Sequence, residues 1–526
     1  MSYFKTNNHG KNQYERFDKI QSRAVLYPIL GFLGFCMIFL ALSTWDFNNT
    51  ENETVHSHVI YLNSKYLLLN TVSNKFLSFA LDTSLLRDIK NLPIKNNKFI
   101  NLARHLAPAY IRIGGTSADC LYFNETAQII SEKEISPVDN EDISNFTING
   151  RDFGNLYNFA TESKLRMIFD LNVLIRNVNN SWDDSNAKNI ITFAKNKNMK
   201  LDWQLGNEPN SFHHVFNRTV TATQLAHDYC HLRQLLNELG YNESLLVGPE
   251  VNHVGDGVGE NYTKLFLRND KDSINYVTWH QYYLNGREAQ LTDFINVSTF
   301  NYLPMQIKSM KEAIESPGRA ISMWLSETST AFGSGAPNLS DRFVAGFLWL
   351  DKLGYSASAG LNVVTRQSLF GGNYAMIGPD IIPNPDWWVS VIYKQFVSEK
   401  VLRITFENNL DYIRLYAHCT PEKALISGIP AITIYGVNVN KSPVQVIFQG
   451  IPTFQNAKVF SYALTSDNLQ SRTIKMNGKI LNLLQPGDHL PSFQPKVSVP
   501  TQPVILPPYS MVFIVIHGAK VPVCYT

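Results

Sequence analysis

Two glutamates that end apolar runs are the residues of this sequence best suited to acid–base chemistry. Glu208 ends the run LDWQLGNE, directly after Asn207, and Glu327 ends the run ISMWLSE. Two carboxylates that converge on one bond can hydrolyse a glycosidic linkage, because one donates a proton to the leaving oxygen while the other attacks the anomeric carbon or directs water. A lone glutamate at such a position is more often a solvated loop residue. The prediction therefore requires a fold that brings both to one face.

The pattern between residues 76 and 397 predicts such a fold. Short apolar runs alternate with helical stretches such as AKNIITFAKNK, and most of the runs end in a polar residue. Alternation over roughly 300 residues favours a parallel sheet closed as a (β/α)8 barrel, whose active site lies at the carboxyl ends of its strands. A doubly wound open sheet is the alternative, but no G-x-G-x-x-G follows an early strand.

Strand-like segments flank the predicted barrel on both sides. Residues 398–526 contain short apolar runs broken by Gly, Pro and Asn, which are typical of a β-sandwich, and residues 58–75 show similar runs. The predicted fold class is therefore α/β: a (β/α)8 barrel with a β-sandwich domain built from both chain ends. The polar, acidic stretch 121–152 is predicted to be a surface insertion.

The N-terminal region predicts a membrane segment. Residues 24–45 are apolar and uncharged, long enough to span a hydrocarbon core of about 30 Å. Basic residues dominate 1–23 and acidic residues occur in 46–57, so we expect a cytosolic tail, a transmembrane signal anchor and a stalk, with the remaining chain lumenal or extracellular. Numerous N-x-S/T sequons fit export. The alternative is a signal peptide cleaved near 41–43, which would give a secreted or lysosomal protein.

Composition excludes several other classes of function. The formal net charge is only +2 over 526 residues, and no long basic block is present, so we predict no nucleic-acid partner. The five cysteines match no zinc pattern. We therefore expect neither a metal nor a cofactor.

Several motifs in consistent order resemble glycoside hydrolase family 79, the heparanase family of endo-β-glucuronidases that act on heparan sulfate. The resemblance extends from about Phe76 to Cys524. It implies that the partner is a heparan sulfate proteoglycan or another glucuronide-containing glycan. The motifs are RIGGT (112–116), WQLGNEPNSF (203–212), VTWHQYYLNGR (277–287), WLSETSTAFGSGAPNLSD (324–341) and RQSLFGGNY (366–374).

The resemblance also implies roles for single residues. Glu208, at the end of the fourth barrel strand, would be the general acid/base. Glu327, at the end of the seventh strand, would be the nucleophile. Asn207 would bind the sugar 2-hydroxyl. The mechanism would be retaining, with the carboxyl groups about 5–5.5 Å apart. A disulfide is implied between Cys419 and Cys524. Further substrate contacts are implied for Asp82, Thr116, Arg287 and Gln367, and for the uronate-binding residues Gly371, Gly372 and Tyr374. His280 and Tyr282 follow a strand, and either could contact the sugar or orient Glu327.

The sequence departs from the family pattern at the predicted cleft. Ser84 stands where the family has Asn. Mammalian-type members have basic clusters where this chain has the stretches 145–155 and 250–261, which together contain one Arg and no Lys. Sulfate groups bind best to Arg and Lys, so the preferred degree of sulfation stays open. A catalytically silent glycan-binding membrane glycoprotein and an exo-acting β-glucuronidase are the alternatives. Because 121–152 is shorter than the linker that such relatives excise, we expect a single chain.

Overall fold

A barrel of eight parallel strands forms the centre of the protein. The computed structural model describes residues 56–62, 68–128, 142–407 and 411–525. The strands are β1 Leu77–Asp82, β2 Ala109–Gly114, β3 Leu165–Leu171, β4 Asp202–Leu205, β5 Val247–Val251, β6 Tyr276–Gln281, β7 Met323–Thr328 and β8 Val363–Arg366. The sheet order is β4-β3-β2-β1-β8-β7-β6-β5, and Trp203 N–H donates to the Leu245 carbonyl at 2.9 Å, which joins β4 to β5 and closes the barrel.

Helices follow the barrel strands along the chain. The best defined start is that of α5, where the Thr221 hydroxyl accepts from the Gln224 N–H and the Gln224 side chain accepts from the Thr221 N–H, a capping box. Among the described residues the α-helices are α1 Asn97–Arg104, α2 Gly150–Glu162, α3 Ser185–Asn196, α4 Phe212–Val215, α5 Ala222–Glu238, α6 Val258–Asn269, α7 Val297–Glu315, α8 Ala345–Ser358 and α9 Pro385–Phe396. The 3₁₀ turns are Thr83–Asp88, Thr116–Cys120, Pro209–Ser211, Leu291–Ile295, Glu422–Ala424 and Pro522–Cys524.

Successive residues of a barrel strand point in opposite directions, one towards the surrounding helices and the next into the barrel interior. In β2, Ile111 and Ile113 are buried in the hydrophobic core beneath the helices. Arg112, between them, instead donates hydrogen bonds to Gln204 on β4 and to Glu327 on β7, on other sides of the barrel. Because side chains alternate between the faces of a strand, the barrel interior can hold polar groups while the outer face stays apolar.

A β-sandwich built from both chain ends packs beside the barrel, as the sequence predicted. Its first described strand begins at His56, inside the predicted stalk 46–57. The smaller sheet contains His56–Tyr61, Thr405–Phe406, Val444–Gln449 and Val504–Leu506. The larger sheet contains Leu68–Thr71, Lys400–Leu402, Ile413–Cys419, Ala431–Asn438, Thr453–Thr465, Lys475–Met476, Lys479–Ile480, Lys496–Ser498 and Ser510–Ala519.

The sandwich has its own apolar core and a covalent tie. Alternate residues of the strands Ile413–Cys419 and Ser510–Ala519 point into a cluster shared with the smaller sheet. The predicted disulfide between Cys419 and Cys524 is present, with the two Cα atoms 5.4 Å apart. It ties the C-terminal turn to a central strand of the larger sheet.

The described parts of 121–152 are not a simple surface insertion. Leu121–Phe123 and Phe146–Ile148 form a two-stranded parallel sheet, and α2 begins at Gly150. Phe123 and Ile148 are buried in the main core, so both ends of the stretch belong to the packed structure. Alternating apolar residues in these short strands are too few to give a clear period, which explains why the sequence pattern missed them. A second pair, Leu284–Asn285 and Ala331–Phe332, follows β6 and β7.

The described residues contain no helix that is both long and apolar enough to cross a membrane. The predicted anchor 24–45, the tail 1–23 and the stalk up to residue 55 lie outside the described residues.

Candidate active site

Glu208 lies just beyond the end of β4, in a turn that the local sequence dictates. Gly206 has φ +81°, and a Cβ there would lie 2.6 Å from the Val173 side chain, so glycine is required at that position. Glu208 is itself left-handed, with φ 56°, an uncommon conformation for a residue with a side chain. Its N–H donates to the Glu250 carbonyl at 3.0 Å, which fixes the turn against the end of β5. The Glu208 side chain is 25% exposed.

Glu327 is the second carboxylate, and strand β7 carries it into the same region. Arg112 donates to one carboxylate oxygen at 2.7 Å, and the Tyr282 hydroxyl donates to the other at 2.7 Å. Burial alone would raise the pKa of Glu327, but the positive charges of His280 and Arg112, together with these hydrogen bonds, outweigh burial and lower it. Glu327 is therefore held as a carboxylate, the form that a nucleophile requires.

The two carboxylates are close enough to act on one bond. One oxygen of Glu208, one oxygen of Glu327 and a ring nitrogen of His280 all lie within 4.8 Å of one another. Retaining glycosidases keep their carboxyl groups about 5–5.5 Å apart, whereas inverting enzymes leave about 6.5–9.5 Å for a water. The separation is thus of the retaining kind. The same three groups could ligate a metal ion, but both ring nitrogens of His280 already lie 2.8 Å from carboxylate oxygens.

His280, at the end of β6, bridges two carboxylates. Its Nδ1 lies 2.8 Å from Glu208 Oε1, and its Nε2 lies 2.8 Å from Glu250 Oε2. Burial by itself would lower the pKa of His280, but the charge of Glu327 and the hydrogen bonds to Glu208 and Glu250 raise it to about 10. This shift favours the imidazolium form of the ring, in which both nitrogens can donate to a neighbouring carboxylate.

Arg112 connects the parts of the site, although the sequence reasoning did not single it out. The guanidinium is almost fully buried and donates to the Asn207 side-chain oxygen at 2.7 Å as well as to Glu327. It also lies 3.2 Å from a Glu250 oxygen. The sequence does carry a signal, since a charged residue interrupts the apolar strand AYIRIGG and a buried charge requires partners.

Asp119 supports the turn that holds Asn207 and Glu208, and it too was missed. One of its oxygens accepts from the Asn207 N–H at 2.8 Å and the other from the Val173 N–H at 3.0 Å. Burial raises the pKa of Asp119 to about 7, against the opposing effect of these two hydrogen bonds. This carboxyl group therefore accepts two backbone hydrogen bonds, one of them from the turn that carries Asn207 and Glu208.

A second group of predicted residues lies around Asp82, at the end of β1. Asp82 accepts from the Ser84 N–H and from the Gln367 side chain, both at 2.8 Å. Burial raises its pKa. Burial likewise raises the pKa of Tyr374, and the charges of Asp82 and Glu327 add to this, while a hydrogen bond with Gln367 opposes it. These side chains therefore lie within electrostatic reach of Glu327.

The glycine loop after β8 packs closely against Tyr374. Gly371 and Gly372 have φ +85° and +72°, which favours glycine at both positions. A Cβ at Gly372 would lie 2.8 Å from the Tyr374 ring and 3.1 Å from the Ser334 carbonyl. The loop after β7 thus packs directly against this glycine loop.

Two predicted residues stand apart from these groups. Thr116 is half-buried at the start of the turn after β2, and Arg287 is exposed in the segment after β6. Among the described residues, no hydrogen bond joins either side chain to Glu208 or Glu327. The individual roles of all these residues stay predictions.

Comparison with known proteins identifies relatives over most of the chain. The family model described as "Glycosyl hydrolase family 79, N-terminal domain" matches residues 83–354. Heparanase from Bos taurus is 33% identical, covering 87% of this chain and 91% of its own. Inactive heparanase-2 from Homo sapiens is 29% identical, covering 87% of this chain and 88% of its own. Hyaluronoglucuronidase from Hirudo nipponia is 29% identical, covering 87% of this chain and 97% of its own. The solved 4-O-α-L-rhamnosyl-β-D-glucuronidase of Fusarium oxysporum, 14% identical, shares the fold with a TM-score of 0.64, covering 86% of this chain and 99% of its own.

Proposed function

The chain belongs to glycoside hydrolase family 79, and from this premise we propose that it is a retaining endo-β-glucuronidase that cleaves heparan sulfate or a related glucuronide polymer. One observation carries the proposal. Oxygens of Glu208 and Glu327 lie within 4.8 Å of each other at the carboxyl ends of β4 and β7. A pair at this distance, with one member held as a carboxylate, fits a double displacement.

In the first step Glu327 attacks the anomeric carbon of the glucuronide. Glu208 donates its proton to the leaving oxygen while the bond from that oxygen to the anomeric carbon breaks. Arg112 and Tyr282 hold the attacking carboxylate by one hydrogen bond on each oxygen. The product of this step is a covalent glycosyl ester on Glu327 and a shortened glycan with a free hydroxyl.

In the second step Glu208, now a carboxylate, takes a proton from water. The water oxygen bonds to the anomeric carbon and the ester bond to Glu327 breaks, which restores both side chains and retains the configuration. Asn207 serves both steps. Because its side-chain oxygen accepts from Arg112 at 2.7 Å, its amide N–H groups are left to donate to the sugar 2-hydroxyl.

We propose that the group around Asp82 and Tyr374 binds the uronate sugar. The Tyr374 hydroxyl and the backbone of Gly371 and Gly372 would receive the uronate carboxylate. Burial raises the pKa of Asp82, which favours its neutral form and so reduces its repulsion of this anion. Arg287, an exposed cation in the segment after β6, is suited to further acidic groups of the polymer.

A silent glycan-binding protein is the second candidate, because inactive heparanase-2 is also a relative. The two carboxylates with their donors Arg112 and Tyr282 support an active enzyme instead. An exo-acting β-glucuronidase is the third candidate.

We also propose that residues 24–45 anchor the protein as a type II membrane glycoprotein with a lumenal or extracellular enzyme domain. The Cys419–Cys524 disulfide supports an oxidising compartment. Alkaline carbonate extraction of expressing cells tests the anchor. Release of the full-length chain with soluble proteins would contradict it.

The test assays three full-length proteins on heparan sulfate, hyaluronan and an aryl β-glucuronide. They are the wild type, the Glu327→Gln variant and a control variant, Glu238→Gln, at an exposed helix position. Product size by gel filtration distinguishes the candidates. We expect the wild type and the control to shorten a polymer, Glu327→Gln to be inactive, and proton NMR to show the β-anomer first. Activity on the aryl glucuronide alone would favour exo cleavage, and activity on none of them would favour the silent protein.

A further inference from the structure

Glu250, near the end of β5, is a buried carboxylate that the two catalytic steps do not use. Its side chain is fully buried, with one oxygen 2.8 Å from His280 Nε2 and 3.2 Å from an Arg112 nitrogen. Its backbone carbonyl accepts the N–H of Glu208, and its own N–H donates to the Thr278 hydroxyl at 3.0 Å. Glu250 therefore meets the predicted acid/base twice, once through the backbone and once through His280.

Charged and titratable groups surround the His280 ring on several sides of the barrel. Glu208, Glu250 and Glu327 face the ring from β4, β5 and β7, while Arg112 and Asp170 lie further across the barrel. Tyr282, on the same strand as His280, donates to Glu327.

Several of these barrel carboxyl groups favour their neutral form. Burial raises the pKa values of Asp82, Asp119 and Asp170, whereas the pKa values of Glu250 and Glu327 are lowered despite burial, because Arg112 and His280 lie beside them. The two cations therefore stabilise the charged forms of Glu250 and Glu327.

Resting on the proposed glycosidase function, we propose that Glu250 is a positioning residue for the acid/base. Its carboxylate holds His280 as an imidazolium with Nδ1–H directed at Glu208 Oε1. Both ring nitrogens are within hydrogen-bonding distance of carboxylate oxygens, so only the doubly protonated ring donates to both at once.

This arrangement would help the step in which Glu208 gives up its proton. The donated hydrogen bond occupies one oxygen of Glu208 and leaves the other facing the glycosidic oxygen. It also stabilises the carboxylate that forms as the proton leaves, which is the charge that develops in the transition state. The benefit is largest for a sugar leaving group, which needs full proton donation, and small for an activated aryl leaving group.

The test compares full-length wild type, Glu250→Gln, Glu250→Asp and a matched control, Glu260→Gln. Glu260 is another buried carboxylate, bound by the Gly255 N–H and the Ser309 hydroxyl outside this network. We expect Glu250→Gln to lower kcat for the glycan by roughly 10- to 100-fold but for an aryl glucuronide by less than about threefold. Glu250→Asp, which keeps the charge, should recover most of the loss. Equal losses on both substrates, or no recovery by Asp, would overturn the proposal.

A spectroscopic measurement decides the same question without catalysis. In full-length chain labelled with ¹⁵N-histidine, the His280 signals, assigned by their loss in His280→Gln, should show a doubly protonated ring at neutral pH. A neutral His280 ring in the wild type at that pH overturns the proposal, even if Glu250→Gln fails to fold. If the wild type cleaves neither substrate, the proposed function fails, while the NMR result still decides the state of His280.

Discussion

Replacing Tyr282 by Phe removes one hydrogen bond from the predicted nucleophile and little else. The Tyr282 hydroxyl donates to one Glu327 oxygen at 2.7 Å, while Arg112 keeps its own bond to the other oxygen at 2.7 Å. The phenylalanine ring fills the same space. A hydrogen bond to a charged group contributes about 1.5–3 kcal/mol, and about 1.4 kcal/mol corresponds to a factor of ten. The substitution should therefore shift the ratio of ionised to protonated Glu327 by roughly 10- to 100-fold.

The direction of the effect follows from the donor. A hydroxyl that donates to the carboxylate stabilises the ionised form, so its loss raises the pKa of Glu327. At acidic pH more of the variant is protonated and cannot attack. We therefore expect kcat/KM to fall by roughly 10- to 100-fold on the acid side of the profile, and by clearly less at higher pH, where Glu327 stays ionised.

The assay is kcat/KM for an aryl β-glucuronide across the acidic and neutral range. Tyr283→Phe is the matched control, because the neighbouring Tyr283 hydroxyl is buried without a hydrogen-bond partner among the described residues. Its profile should follow that of the wild type. A Tyr282→Phe profile reduced by the same factor at every pH, or not reduced at all, would refute the claim that this hydroxyl controls the ionisation of the nucleophile.

Three further predictions concern the acid/base, the buried charges and the sandwich. Glu208→Gln should reduce cleavage of the glycan by about 100-fold or more, and azide should restore turnover of an aryl glucuronide as a β-glucuronosyl azide, seen by NMR. The raised pKa values of Asp119 (about 7) and His280 (about 10) let the folded state hold protons that the unfolded state releases. The free energy of unfolding should therefore fall as pH rises, between 3.8 and 7 because of Asp119 and between 6.5 and 10 because of His280. Thermal unfolding measures this fall, and Asp119→Asn should show a smaller loss in the first window. Cys419→Ser opens a loop of 105 residues and should lower the free energy of unfolding by about 4–5 kcal/mol, measured with urea, whereas a loss below about 1 kcal/mol would show that the sandwich does not depend on the bond.

The sequence pattern predicts the architecture well because that pattern is local. Parallel strands that are buried on both sides appear in the sequence as short apolar runs, and the helices between them appear as amphipathic stretches. The barrel and the positions of Glu208 and Glu327 at strand ends can therefore both be predicted. The short strands at 121–123 and 146–148 contain too few residues to show a period, and their burial depends on contacts with distant parts of the core.

The missed residues of the site share one physical cause. Arg112, Asp119 and Glu250 have their partners on other strand–loop units of the barrel, and only the tertiary packing of those units brings the partners within hydrogen-bonding distance. In the sequence each one is a single charged residue within or just after an apolar run, which gives no partner and hence no role. A buried charge in a barrel strand is therefore a sign that a partner lies across the barrel.

The different roles proposed for Glu208 and Glu327 follow from their surroundings rather than from their position in the fold. Both end a barrel strand, but Glu327 receives hydrogen bonds on both oxygens, from Arg112 and Tyr282, and its side chain is only 10% exposed. Such a carboxylate cannot readily accept a proton, which suits attack on carbon. Glu208 is more exposed, and its described side-chain hydrogen bond is to His280 alone, so one of its oxygens stays available to exchange a proton with the substrate. Two identical side chains thus acquire different chemistry because the barrel gives one of them two fixed donors and the other a single charged neighbour.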